Sequence, residues 1–408
     1  MKIKKNYVLY LFCLLPFLEM PRFGYIPGIN RLFLLWKLAV AVIVSIEVLT
    51  RRKLSRLDWL LIIYSTIIVI STYINDGEVI ATISDGLAIL VPVLLIEHNT
   101  PKCTVTQLIA PFIILFTLYA TITAVQLIRV PFHIFFIHGL RDDYTHLYID
   151  SYGPVFALGE AKRFVFILLP LVVYTFIYGE TAKGDIIKKV IVGYVCAVSL
   201  FCLIYSWSVS AMLAMFCVMI YYLLYGRKII TKMFKAVNAK FAFVVFLIIN
   251  YLLVRTNFLD ATIGFVALFG KATTLSGRTY VWARALEYIK ERPLIGWGVN
   301  DAETASCFWN LVHMHNLLVN CAYIGGVLLL ACIVYILYML QKRLSEQREP
   351  TRLTYVFNAA YIGFLILSLT DTPDNNMLYV LFMFIYVSND FLKNNRKGNM
   401  RDAKNNDM

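Results

Sequence analysis

Two of the chain's six histidines, His313 and His315, stand one residue apart in LVHMHNLLVN, at the edge of a long apolar run. Imidazole can accept a proton, bind a metal or bridge polar groups, and the spacing bears on which. On a helix, residues two apart point about 200° away from each other, so this pair cannot converge on one ion; H-x-x-x-H would be needed. In an extended segment the two would share a face, but the run that follows is helical in length. No metal site is therefore expected. His315 is instead expected in the first turn of a helix, with Asn316, Asn320 and Tyr323 forming a polar stripe along it. Such a stripe lines a wet cavity or bonds one helix to the next.

Arginine is the second chemically capable group. Arg278 in LSGR, Arg284, Arg141 in GLRDDY and Arg163 all fall in or beside two long connections. Guanidinium groups bind phosphates through forked, charge-assisted hydrogen bonds. Each can equally be an interfacial anchor or an ion-pair partner, as Arg141 could be to Asp142 or Asp143.

The elements that must hold these residues are membrane helices. Sixty per cent of the residues are hydrophobic and the mean hydropathy is +0.71, more apolar than a soluble domain needs. Stretches long enough to cross a ~30 Å hydrocarbon layer recur from end to end. They lie at about 7–20, 32–49, 57–75, 79–97, 107–128, 163–179, 187–205, 208–225, 239–256, 314–339, 354–371 and 376–392. The alternating ten-residue strands of a membrane barrel are absent. The expected fold is a single all-α, polytopic membrane domain over 1–408, with about twelve transmembrane helices.

The net charge of +13 is distributed by loop. Most of the 38 Lys and Arg fall on alternate connections, including RRKLSR at 51–56, GRKIITKMFKAVNAK at 226–240 and the C-terminal tail. The opposite short loops at 75–78, 206–207 and 372–375 carry none. Positive loops stay cytoplasmic, so both termini are expected inside. The basic balance then reflects topology and contact with an anionic bilayer, and nucleic acid is not an expected partner. The eight cysteines form no C-x-x-C pair, which argues against a redox or metal framework. The first span is followed by no small-residue cleavage site and is read as a retained helix.

Both long connections, about 129–162 and 257–313, fall on the outer side. Loops of this length inside a compact bundle are usually functional, and their aromatic content argues against disorder. Within the second, residues 277–292 have the pattern of an amphipathic helix. Val281, Trp282, Ala285, Leu286 and Ile289 share one face; Arg284, Glu287, Lys290 and Glu291 share the other. Such a helix would lie in the interface or cover the bundle. Gly296 and Gly298 of PLIGWGVN follow as a tight turn. No internal repeat is visible, which speaks against a transporter built from inverted halves.

The stretch SGRTYVWARALEYIKERPLIGWG, followed by HMHNLLVNCAYIGG, resembles the signature of the O-antigen ligase and polymerase superfamily. That signature runs Gly-Arg, Trp, Pro-Leu-x-Gly-x-Gly, His-Asn and a downstream Gly. YGPVFALGE at 152–160 is similar to the family's Gly-Pro-Asn-x-x-Gly segment, with Val155 where Asn is usual. The resemblance implies a GT-C-like glycosyltransferase of the bacterial inner membrane with its site facing outward. Its donor would be a glycan on undecaprenyl diphosphate, with no cofactor and no metal. By the resemblance, His315 takes the acceptor hydroxyl proton and Arg278 holds the departing diphosphate. Arg141, Arg163, Arg284, His313, Asn316 and Asn320 are then candidate substrate contacts. One departure stands out: Val209 occupies a place where the family often has the arginine of a Ser-Arg pair.

Two reactions share this donor. A polymerase joins one lipid-linked repeat unit to another; a ligase moves the glycan to lipid A-core. The complete SGRTxxW and PLIGWG pattern and the missing Ser-Arg favour the polymerase. Other assembly proteins, a flippase or a chain-length regulator, are partners the resemblance implies. A flippase reading of this chain itself would need charges lining the bundle instead of gathering in one loop.

Overall fold

The computed structural model describes residues 5–51, 54–129, 155–181, 186–206, 208–224, 238–255, 278–299, 314–346, 351–372 and 376–388. These contain thirteen α-helices. They are α1 (Lys5–Leu14), α2 (Pro27–Arg51), α3 (Arg56–Ile74), α4 (Val79–Asn99), α5 (Val105–Ile128), α6 (Val165–Thr181) and α7 (Ile186–Ser206). There follow α8 (Val209–Leu223), α9 (Ala239–Arg255), α10 (Arg278–Glu291), α11 (Leu317–Ser345), α12 (Arg352–Thr370) and α13 (Asn376–Tyr386). Each of the twelve expected spans coincides with a helix, α10 being the additional one. Eight spans are long and apolar enough to cross a membrane, and four are shorter apolar helices: Tyr7–Leu18, Val209–Leu223, Ala239–Val254 and Asn376–Tyr386. The chain is an all-α, multi-pass membrane protein.

Helix starts are set by side chains that satisfy otherwise orphaned N–H groups. Ser55 with Asp58, Thr104 with Gln107 and Thr351 with Thr354 form reciprocal capping boxes at the starts of α3, α5 and α12. Helices α6 and α12 are mostly enclosed by their neighbours, whereas α2 and α7 leave most of their surface open. Between α5 and α6 a two-stranded hairpin, β1 (Val155–Phe156) with β2 (Gly159–Glu160), is packed into the bundle. Its turn amides at Ala157 and Leu158 donate to Gln126 and Thr123 of α5, each at 3.0 Å.

The feature that shapes the site is a break in α11. Gly326 has φ +63° and ψ −157°, so the helix is two rods joined at a corner. Tyr323 and Ile324 thereby present their carbonyls to the PLIGWG loop, where Trp297 and Gly298 N–H donate to them at 2.8 and 2.9 Å. In return, Val327 N–H donates to the Pro293 carbonyl at 2.8 Å. Non-helical backbone inside a membrane bundle is tolerated where protein re-satisfies its polar groups in this way. The C-terminal turn of α3 locks the loop from its other side. Ser71 Oγ lies 2.7 Å from the Ile295 carbonyl and 2.6 Å from that of Ile324, and Thr72 Oγ1 accepts from Val299 N–H at 3.0 Å. The expected tight turn at Gly296 and Gly298 is therefore a buried wedge between two helices.

Only glycine fits this wedge. At Gly298 φ is +72°, and an added Cβ would lie 2.6 Å from Thr72 Cα; at Gly326 it would lie 2.3 Å from the Leu294 carbonyl. Gly298→Ala is expected to cost about 2–4 kcal/mol, combining left-handed strain with backbone overlap. Gly193→Ala on α7, where a Cβ meets nothing within 4 Å, should leave the unfolding temperature of the detergent-solubilised protein nearly unchanged. Equal melting temperatures for the two variants would refute the wedge.

Candidate functional site

Arg278 is the first residue of α10. One turn later, Trp282 is 1% exposed and Ala285 is fully buried, in a cluster with Tyr288, Met314, Val319 and Tyr323. The apolar face of α10 thus packs on the N-terminal rod of α11, which places Arg278 beside the start of α11. The charged face is open: Arg284 pairs with Glu287 at 2.5 Å and lies over the Tyr288 ring. Six residues of helix put Arg284 about 240° around the axis from Arg278, away from the His315 end of the cluster.

The helix begins one step later than its apolar run suggests. Asn316, not His315, ends the preceding loop: its extended backbone (φ −162°, ψ 127°) and its Oδ1, accepting from Val319 N–H at 3.0 Å, cap α11. Asparagine competes for this position because its short side chain can accept from the third residue of the helix. The other end of the same side chain, Nδ2, donates to the Leu369 carbonyl of α12 at 3.1 Å. Asn316 is completely buried and braces α11 against α12. His315 therefore sits just before the cap, at φ +47°, a left-handed conformation uncommon for a residue with a side chain.

That conformation brings His315 to a carboxylate. Nδ1 of His315 lies 3.8 Å from Oδ1 of Asp371, the residue that ends α12. This nitrogen is buried and makes no hydrogen bond among the described residues. Asp371 Oδ1 is itself fixed, accepting from Thr372 N–H at 2.9 Å. Asp371 also acts on Arg278 through its charge: burial pulls the Arg278 guanidinium below the ordinary arginine range, and the Asp371 carboxylate pulls it back up. Arginine stays protonated even so. Three elements, α10, the start of α11 and the end of α12, thus bring an arginine and a histidine each within electrostatic reach of one carboxylate. Such a set can orient an imidazole through Nδ1, leave Nε2 for a hydroxyl, and hold a cation beside a leaving anion.

The remaining candidates are distributed differently. Asn320 follows one turn after the cap and is partly exposed, with its N–H donating to the Asn316 carbonyl. Tyr323, expected on the polar stripe, is buried edge-on against Tyr288. Arg163 follows the hairpin and faces Glu160 at 3.8 Å. Arg141 and His313 lie outside the described residues. Val209 is the first residue of α8. No sequence motif singles out Asp371; its signal is a carboxylate in the short connection TDTPDNN, which carries no Lys or Arg.

Comparison with known proteins follows the same region. The sequence model of a family described as O-antigen ligase matches residues 194–334. The chain is 34% identical over 100 residues to the exopolysaccharide production protein ExoQ of Rhizobium meliloti (strain 1021), a match covering 20% of this chain and 23% of that protein. No solved structure matches. Over residues 194–334, which hold both Arg278 and His315, the chain carries the pattern of the O-antigen ligase family, and the superfamily expected from its motifs is the one that it matches.

Proposed function

We propose that the chain is a polymerase that joins undecaprenyl-diphosphate-linked oligosaccharide units into a surface polysaccharide on the outer face of the bacterial inner membrane. The observation that carries this reading is the convergence of Arg278, His315 and Asp371. The acceptor hydroxyl oxygen attacks the anomeric carbon of the donor glycan, and the bond from that carbon to the diphosphate oxygen breaks. His315 Nε2 takes the hydroxyl proton, Asp371 steadies the imidazolium, and Arg278 carries the charge of the departing undecaprenyl diphosphate. The exopolysaccharide production named for the relative supports a polymer product. The family description, O-antigen ligase, supports a second reading, transfer of the glycan to lipid A-core.

One experiment separates the two. Purified protein is given undecaprenyl-diphosphate-linked oligosaccharide extracted from host membranes, with and without lipid A-core. A ladder of lengthened lipid-linked glycan without lipid A-core supports the polymerase; product only with lipid A-core supports the ligase. No transfer in either, by protein shown to be folded, would sink both.

The outward orientation has its own test. Cysteine labelling in intact cells at Lys271 should succeed from outside, while Lys235, on the basic 226–240 connection, should label only after permeabilisation. Labelling of both from the same side would overturn the twelve-span topology and the outward-facing site together.

A further inference from the structure

Flanking His315 are two side-chain contacts to the backbone. After it stands the Asn316 cap; before it, the Met314 carbonyl accepts a hydrogen bond from Trp282 Nε1 at 2.7 Å. The Met314 carbonyl belongs to the peptide that enters His315, so holding it restricts rotation about the His315 N–Cα axis, where φ is +47°. A side-chain-bearing residue in that region costs about 1–3 kcal/mol and persists only where its surroundings over-determine it. Trp282 and Met314 are both buried, so the indole donates to this carbonyl away from solvent. Trp282 also lies one turn after Arg278 on the same helix.

We infer that Trp282 is a positioning residue for His315: its indole N–H fixes the turn that aims the imidazole at Asp371 and sets the separation of His315 from Arg278. The inference rests on the reading of His315 as the base. A simpler role, in which the Met314 carbonyl merely satisfies a buried indole, would make Trp282 matter for stability and not for turnover.

The test uses the purified full chain with undecaprenyl-diphosphate-linked oligosaccharide from host membranes. Trp282→Phe keeps most of the ring volume and removes the donor. Incorporation of benzothienylalanine at 282, with sulfur in place of the indole N–H, keeps the full shape and guards against misfolding of the phenylalanine variant. Both should lower kcat about 10- to 100-fold, the scale of a small misplacement of a catalytic group. KM for the donor should stay within about twofold, because Arg278 is untouched. In a His315→Ala chain, Trp282→Phe should cause no further loss, since residues acting as one unit are not additive. Full kcat with benzothienylalanine, or a further equal loss in the His315→Ala chain, would overturn the positioning role. Full activity in His315→Ala alone would instead bring down the reading of His315, a different and distinguishable failure.

Discussion

His315→Ala is expected to join lipid-linked units about 100- to 10,000-fold more slowly than the unmodified chain, the usual contribution of positioned proton transfer. The protein should still insert and fold, because a polar contact between membrane helices contributes only about 1 kcal/mol. His315→Asn is the better-controlled variant. Asparagine tolerates the left-handed backbone that His315 adopts, so it removes the base and leaves the turn. Both variants should accumulate single lipid-linked units, while His313→Ala, two positions earlier in the chain, should cost much less. Asp371→Asn should fall between wild type and His315→Ala, since it keeps the shape and loses the charge that faces Nδ1 at 3.8 Å. The measurement is initial rate with purified protein at matched folded fraction. Undiminished turnover in His315→Asn would remove His315 from the chemistry, and a dead but folded His313→Ala would transfer the role to its neighbour.

Arg278→Lys is expected to reduce turnover about 100- to 1,000-fold, the scale seen when one preorganised donor to a developing anion is lost. Lysine keeps the charge but offers a point donor in place of a planar fork. It also has to bury a strongly hydrated ammonium where burial already disfavours the guanidinium charge. Arg284→Ala is the comparison. Its side chain lies on the open face of the same helix and pairs with Glu287, so its loss should change turnover less than about threefold, a surface pair contributing little. Equal, mild effects at Arg278 and Arg284 would make Arg278 an interfacial anchor and nothing more.

Much of this arrangement was legible from residue order because apolar length is a strong signal. Each of the twelve apolar stretches coincides with a helix. Arg278, Trp282, Gly296, Gly298 and His315 were legible because they cluster in one stretch whose order is distinctive. Asp371 was not, because it comes 56 residues after His315, in a turn between two spans, and only the antiparallel packing of α11 and α12 brings it back. The capping work of Asn316, whose amide serves Val319 and Leu369, is not signalled by the apolar pattern around it. The break at Gly326 was hidden because the sequence beyond it, VLLLACIVYILYM, is apolar and continues the span without interruption. Periodicity reports which side chains face inward; it is silent about where the backbone stops being one helix.

That break has a consequence for rotational phase. In an unbroken helix each inserted residue turns everything beyond it by 100°, so a side chain at one end is geared to the whole length of the rod. In α11 the gearing stops at Gly326. The N-terminal rod that carries Asn316 takes its phase from the PLIGWG loop, through Trp297 and Gly298, and from the Trp282 contact before it. The C-terminal rod from Val327 to Ser345 is free to follow its own partners. Single-residue insertions after Leu329 can therefore be absorbed without turning His315, whereas one between Leu317 and Tyr323 would rotate the N-terminal rod out of register with the loop that holds it.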